Sequence, residues 1–223
     1  MITTPFLLIV ITSPGSFPGE MDYLEALLEA GLEKLHIRKP GDKKDRQMRG
    51  EKKDDGVPGD AREVLLERLA PRWHSRLVLH GGRGAVELAG RYRVPQVHGH
   101  WHMPWLEGDR LAGSPGITLS SSLHSWEEVE EVPPGALEYV FLSPLFDSIS
   151  KPGYRAGDDL LRRPAGVAPC KLIGLGGIDA DTIGQVIEHG WDGAALLGHV
   201  WQQPEKAVER FRTLKEIISH YGR

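Results

Sequence analysis

The chain has 223 residues, 40% of them hydrophobic and 26% charged, with a formal net charge of −4. That balance suits a globular core and excludes the broad basic surface that a general nucleic-acid or membrane partner needs, although local basic residues can still hold a phosphorylated small molecule. A single cysteine, Cys170, excludes an internal disulfide and fits a reducing compartment.

The N-terminal stretch MITTPFLLIVITSPG is apolar but lacks a basic leading segment and is too short to span a bilayer. Rich in Val, Ile and Thr and closed by Pro14-Gly15, it reads as a buried strand, and a cytoplasmic protein is expected. Eight short apolar runs follow one another at 7–13, 34–39, 76–80, 96–100, 116–122, 139–144, 171–177 and 193–199. Helical patterns lie between them at 21–31, 61–70, 84–92, 125–132 and 181–190, and the connections after the fourth and sixth runs look short or irregular. A final helix is predicted over 204–222, with Ala207, Val208, Phe211, Leu214, Ile217 and Ile218 on one face, Pro204 at its start and Gly222 at its stop. Strand-helix alternation means a parallel sheet, and eight strands close into a single (β/α)8 TIM barrel, an α/β domain spanning 1–223. The charged segment 41–60 predicts a mobile loop on the face where such barrels keep their sites, and a solvated insertion is favoured there over a lid.

Function in such a barrel collects where the strands end. His36 and Arg38 share a face at the end of the second run, and inward-facing His and Arg are costly unless they bind something. Ser122 and His124 follow the fifth run, and Ser148, Ser150 and Lys151 follow the sixth. Gly176 and Gly177 after the seventh, with Leu197 and Gly198 after the eighth, offer bare backbone N–H groups to a phosphate. His98, His100 and His102 in VHGHWH would share one face of an extended chain. His-x-His is a zinc-ligand pattern, with His80 and His124 able to help, which makes a metal-dependent hydrolase a rival. The favoured expectation is no metal, with His98 a hydrogen-bonded pocket histidine and His100 and His102 on a loop.

Several of these stretches occur together in one known family. LHIRK, SSSLHSWEEVEE, YVFLSPLFDSISKPGY and LIGLGGIDADTIGQVIEHGWDGAALLGHVW resemble, in order and over nearly the whole chain, the thiamin phosphate synthase superfamily, which includes the TenI-like thiazole tautomerases. The synthase joins a pyrimidine pyrophosphate to a thiazole phosphate and holds magnesium through carboxylates after strands three and four. Here His80 and Gly81 stand where the family has Asn-Asp, and no acid follows His98. Magnesium wants oxygen ligands, so the departures favour the metal-free tautomerase branch.

The resemblance thus implies a thiazole phosphate as the small-molecule partner, with no nucleic acid and no membrane. A homodimer is a common state for such barrels, but the sequence leaves it open. His124 would be the catalytic acid/base, suited to neutral pH without tuning. His36, Arg38, Ser122, Ser148, Ser150 and Lys151 would bind substrate, and Gly176, Gly177, Leu197 and Gly198 the phosphate. No cofactor is expected of a tautomerase, and magnesium of a synthase. Two alternatives stand beside tautomerisation: a thiamin phosphate synthase with atypical metal ligands, and a non-catalytic binder of a thiazole or thiamin phosphate.

Overall fold

The structure is a computed structural model, described here for residues 5–39, 60–102, 116–147, 160–166 and 169–223. Eight parallel strands close a barrel in chain order: β1 (Leu7–Ile11), β2 (Lys34–Ile37), β3 (Leu77–His80), β4 (Gln96–His98), β5 (Thr118–Leu123), β6 (Tyr139–Leu142), β7 (Lys171–Leu175) and β8 (Gly193–Leu196). Pairing of Leu8 with Ala194 joins the last strand to the first. All eight predicted runs are strands, each shorter than its run: six continue past the last ladder bond into the connecting turn, the third loses Arg76 at its start, and the fifth is shifted to Thr118–Leu123.

Alternation along each strand divides the apolar residues between two regions. Val10, Leu35, Ile37, Leu79, Val140 and Leu172 face outward and pack under the helices. Ile9, Ile11, Tyr139, Phe141, Ile173 and Ala195 point into the barrel. Lys34, His36, Gln96, His98 and Ser120 occupy inward positions on β2, β4 and β5. The interior is therefore apolar on the side of β1, β7 and β8 and polar on the side of β2–β5, and β6 contributes to both, through Phe141 and the Tyr139 hydroxyl.

The helices are α1 (Glu20–Glu29), α2 (Ala61–Arg68), α3 (Arg83–Tyr92), α4 (Trp126–Glu130), α5 (Ile183–Glu188), α6 (Gly198–Trp201) and α7 (Ala207–His220). Asp60 caps α2 by accepting from the Arg62 amide, and Ser125 caps α4 by accepting from that of Glu128. Three local expectations are corrected. Pro71–Arg76 forms a 3-10 turn where the apolar pattern predicts no element. The eighth run stops as a strand at Leu196, and Gly198 already opens α6. The final helix begins at Ala207, because Pro204–Lys206 takes a tighter 3-10 turn that precedes it. Of the charged segment 41–60, only Asp60 lies within the described residues.

Candidate active site

The end of β2 is anchored from below and from the side. Lys39 is buried and donates to Glu20 at 2.6 Å, to the Ser13 carbonyl at 2.7 Å and to the Gly15 carbonyl at 2.9 Å, tying the loop after β1 to the loop after β2. Thr12 accepts from the Arg38 amide at 2.8 Å. Arg38 itself is exposed beside this anchor, where it can meet an anion arriving at the mouth.

Beneath Arg38 the polar half of the interior forms one connected chain. Lys34 donates to Gln96 Oε1 at 2.7 Å, and the Tyr139 hydroxyl donates to the same oxygen at 3.3 Å. An ammonium has no acceptor to offer, so the Gln96 oxygen must face Lys34. His36 Nε2 lies 2.5 Å from the Tyr139 phenol, and His36 Nδ1 lies 2.8 Å from His80 Nε2. His80 stacks on His98 with ring centroids 4.3 Å apart, and the two are register partners across β3 and β4. His98 Nδ1 and Nε2 each stand 2.9 Å from a hydroxyl, of Ser120 and Ser122. Phe141 packs against both His36 and His98 at 4.8 Å between ring centroids.

His36 has no exposed surface. Burial first, then the nearby His98 and the Lys34 ammonium, push it well below the ordinary imidazole value and hold it neutral. Burial likewise pushes the Tyr139 phenol far up, so it stays protonated. His199 is also lowered, by burial and then by Arg210. A group whose folded value is depressed binds protons more readily when unfolded, so its stabilisation is complete above about pH 6.5 and is lost as pH falls below it. Melts recorded in EDTA should therefore show Tm falling between about pH 6.5 and 5, and His36→Gln should flatten that fall. A slope unchanged in the variant would assign the acid sensitivity to His199 and other groups.

Of the histidines in VHGHWH, only His98 points inward. β4 ends there, and the chain turns at Trp101 and His102, so the shared face expected of an extended segment does not form. His100 and His102 are exposed, and His102 lies 3.8 Å from Glu131. A different trio, His36, His80 and His98, brings one nitrogen from each within 4.8 Å of the others. His80 was legible as a residue but not as the member that joins the other two.

His124 follows β5 and is exposed. Its Nδ1 lies 3.1 Å from the Ser143 carbonyl, which can only accept, so Nδ1 donates the proton of that bond. Its amide donates to Glu128 at 2.7 Å, which also makes it part of the α4 start. Ser148, Ser150 and Lys151 lie outside the described residues.

Gly176 and Gly177 have φ of 100° and 64°. A Cβ on Gly177 would stand 2.5 Å from the Asp147 carbonyl oxygen, and one on Gly176 3.0 Å from Pro144 Cα. Both glycines are thus demanded by the close seating of the β7 turn on the loop after β6, where Gly176 accepts from the Phe146 amide. Thr182 bonds to the Gly177 carbonyl at 3.1 Å and to Asp179 at 3.1 Å, which sets the turn's direction. Leu197 and Gly198 open α6, whose first-turn amides have no acceptor within the helix.

The donors at the ends of β3 and β4 do not fit magnesium. Among the described residues, the only group of three side chains placed to share an ion is all imidazole. A hard cation that wants six oxygens is poorly served by nitrogens.

Comparison with known proteins extends this picture. Residues 8–200 match the family model described as thiamine monophosphate synthase. The thiamine-phosphate synthase of Koribacter versatilis is 27% identical over 160 residues, covering 69% of this chain and 74% of that protein. The thiamine biosynthesis bifunctional protein ThiM/ThiE of Symbiobacterium thermophilum is 26% identical over 199 residues, covering 88% of this chain, which spans only 38% of that protein's length. Among solved structures, the thiamine phosphate pyrophosphorylase of Bacteroides thetaiotaomicron superposes with a TM-score of 0.66 at 26% identity, covering 96% of this chain and 98% of that one. That of Pyrococcus furiosus gives 0.69 at 20% identity, covering 97% of each, and supports the fold alone. With the match running through all eight strands, the chain belongs to the thiamine monophosphate synthase family.

Proposed function

We propose that the protein is an enzyme of thiamin biosynthesis that binds a thiazole phosphate at the C-terminal mouth of the barrel and joins it to a pyrimidine pyrophosphate, making thiamin phosphate. The observation that carries this reading is the family match over 8–200, supported by a relative at 27% identity named thiamine-phosphate synthase and a solved structure at 26% identity named thiamine phosphate pyrophosphorylase. In the reaction the thiazole nitrogen forms a bond to the pyrimidine methylene carbon as the bond from that carbon to pyrophosphate breaks. The amides of Gly177, Leu197 and Gly198 hold the thiazole phosphate, and Arg38, across β1 from them, meets an anionic group of the substrate. Ser122 orders the substrate from beside His98. Ser148, Ser150 and Lys151 are assigned to the same substrate by their place after β6.

A second reading, thiazole tautomerisation, is favoured by one observation: imidazoles stand where a synthase needs oxygen donors. On that reading His124 moves the proton. Incubation with both synthase substrates across a series of divalent metals, beside a direct tautomerisation assay, separates the two. Thiamin phosphate formation supports the main reading. Isomerisation without it replaces that reading, and tight binding without any turnover leaves a non-catalytic binder.

Arg38→Ala is expected to weaken binding of the anionic substrate by about 10–150-fold, the equivalent of about 1.5–3 kcal/mol for a hydrogen bond to a charged group. Folding should be spared, because Arg38 is exposed and, among the described residues, its backbone amide makes the bond that anchors it. Titration calorimetry with thiazole phosphate measures this, and an unchanged Kd would move Arg38 out of the site.

A further inference from the structure

We propose that His36, His80 and His98 form a binding site for a transition-metal dication of the zinc class at the C-terminal ends of β2, β3 and β4, whichever reaction the mouth performs. The argument starts from convergence. The three imidazoles come from three adjacent strands, and the strand register brings one nitrogen of each within 4.8 Å of the others. Three nitrogens bound to one zinc at about 2.0–2.1 Å stand ~3.3 Å apart. The His36–His80 pair is at 2.8 Å, so an ion entering between them asks the rings to part by a few tenths of an ångström and His98 to close in.

The hydrogen bonds around the trio also suit a metal. His36 Nε2 bonds the Tyr139 phenol, which turns Nδ1 toward His80. His98 Nδ1 lies 2.9 Å from Ser120, a partner that can take its N–H and turn Nε2 toward the trio. Imidazoles oriented by a hydrogen bond at the far nitrogen are what histidine metal sites are built from. Phe141 walls the cluster on its inner side against His36 and His98, which keeps water from that flank.

Donor chemistry selects the class of ion. Three nitrogens without a carboxylate suit zinc, copper or nickel and serve magnesium and calcium poorly. Three protein ligands leave a fourth position, as in zinc sites that take water or substrate. Ser122, 2.9 Å from His98 Nε2, borders that position.

The test uses protein purified without a histidine tag. After loading with zinc and exhaustive dialysis, one equivalent per chain should remain by elemental analysis, and competition with a chromophoric chelator should give the affinity. Cobalt loading of the wild type should produce visible ligand-field bands of low coordination number. His80→Gln and His98→Gln should weaken zinc by more than about 100-fold, and Ser120→Ala, which removes an orienting partner of His98 and of Tyr139, by about 10–100-fold. His100→Gln and His102→Gln should change nothing. If the ligand variants fold poorly, the cobalt spectrum and Ser120→Ala still decide. No retained zinc, or zinc lost on removal of His100 or His102 and kept without His80, would overturn the site. None of these readouts depends on turnover, so failure of the synthase reading and failure of the metal site are distinguishable.

Discussion

Replacing His124 by glutamine is expected to separate the two reactions open to a thiazole phosphate. Synthesis of thiamin phosphate makes a carbon–nitrogen bond and expels pyrophosphate, and no proton has to be moved between carbon atoms. Tautomerisation is nothing but such a transfer. Loss of a positioned acid/base should therefore cut any tautomerisation by about 10²–10⁴-fold while synthesis is largely kept. The side chain is exposed and held at the end of β5, with Nδ1 donating to the Ser143 carbonyl. Glutamine keeps the bulk and a donor to that carbonyl but titrates nowhere near neutrality. Single-turnover rates of both reactions, together with thiazole phosphate affinity, make the measurement. Equal loss of both would make His124 a binding residue, and no loss of either would leave it as a part of the α4 start.

Removing the Arg62 side chain should be the most damaging single change outside the barrel interior. Arg62 is 1% exposed. Its Nε donates to Asp60 at 2.9 Å and its Nη1 to the His80 carbonyl at 2.8 Å, and a further guanidinium nitrogen also bonds Asp60. Arg62→Ala strands a carboxylate of low exposure and removes a donor from a strand-end carbonyl. Breaking a buried ion pair from one side costs about 3–5 kcal/mol. For a domain of this size each kcal/mol lowers Tm by about 2–4 °C, so a fall of about 6–20 °C is expected by calorimetry. Asp60→Asn with Arg62→Met removes both charges and should recover much of it. A single variant that melts with the wild type would show the pair to be water-compensated.

The barrel was legible in the sequence because eight β-branched runs punctuated by helical patterns admit few other closures. Family membership was legible in the motifs around Arg38, His124, Gly176 and Gly177. The internal ladder was not. Lys34, Gln96 and Tyr139 each sit two residues before a singled-out or apolar inward residue, His36, His98 and Phe141, so the period of two did mark them as inward. What the linear pattern could not supply was register: only the pairing of His80 with His98, and of Val78 with His36, shows which polar side chains meet. Likewise, an extended VHGHWH puts three histidines on one face, and only the end of β4 at His98 breaks the set. Gly176 and Gly177 were read as phosphate-approach glycines. The seating of the loop after β6 demands them on its own account, and that contact is tertiary.

The division of the barrel interior into an apolar and a polar half sets how each half can drift over evolutionary time. On the apolar side, Ile9, Ile173 and Ala195 answer only to volume, so a methyl lost at one position is tolerated or offset by a neighbour independently. On the polar side the members depend on one another: Lys34 and Tyr139 share the Gln96 oxygen, and Tyr139 bonds His36, although Gln96 Nε2 has no partner among the described residues. A single replacement there leaves a stranded donor or acceptor, whereas exchange of the group for apolar residues of matching shape need not. Homologues should therefore vary one residue at a time along β1, β7 and β8. Across β2, β4 and β6 they should switch in blocks, keeping Lys34, His36, Gln96 and Tyr139 together or losing them together.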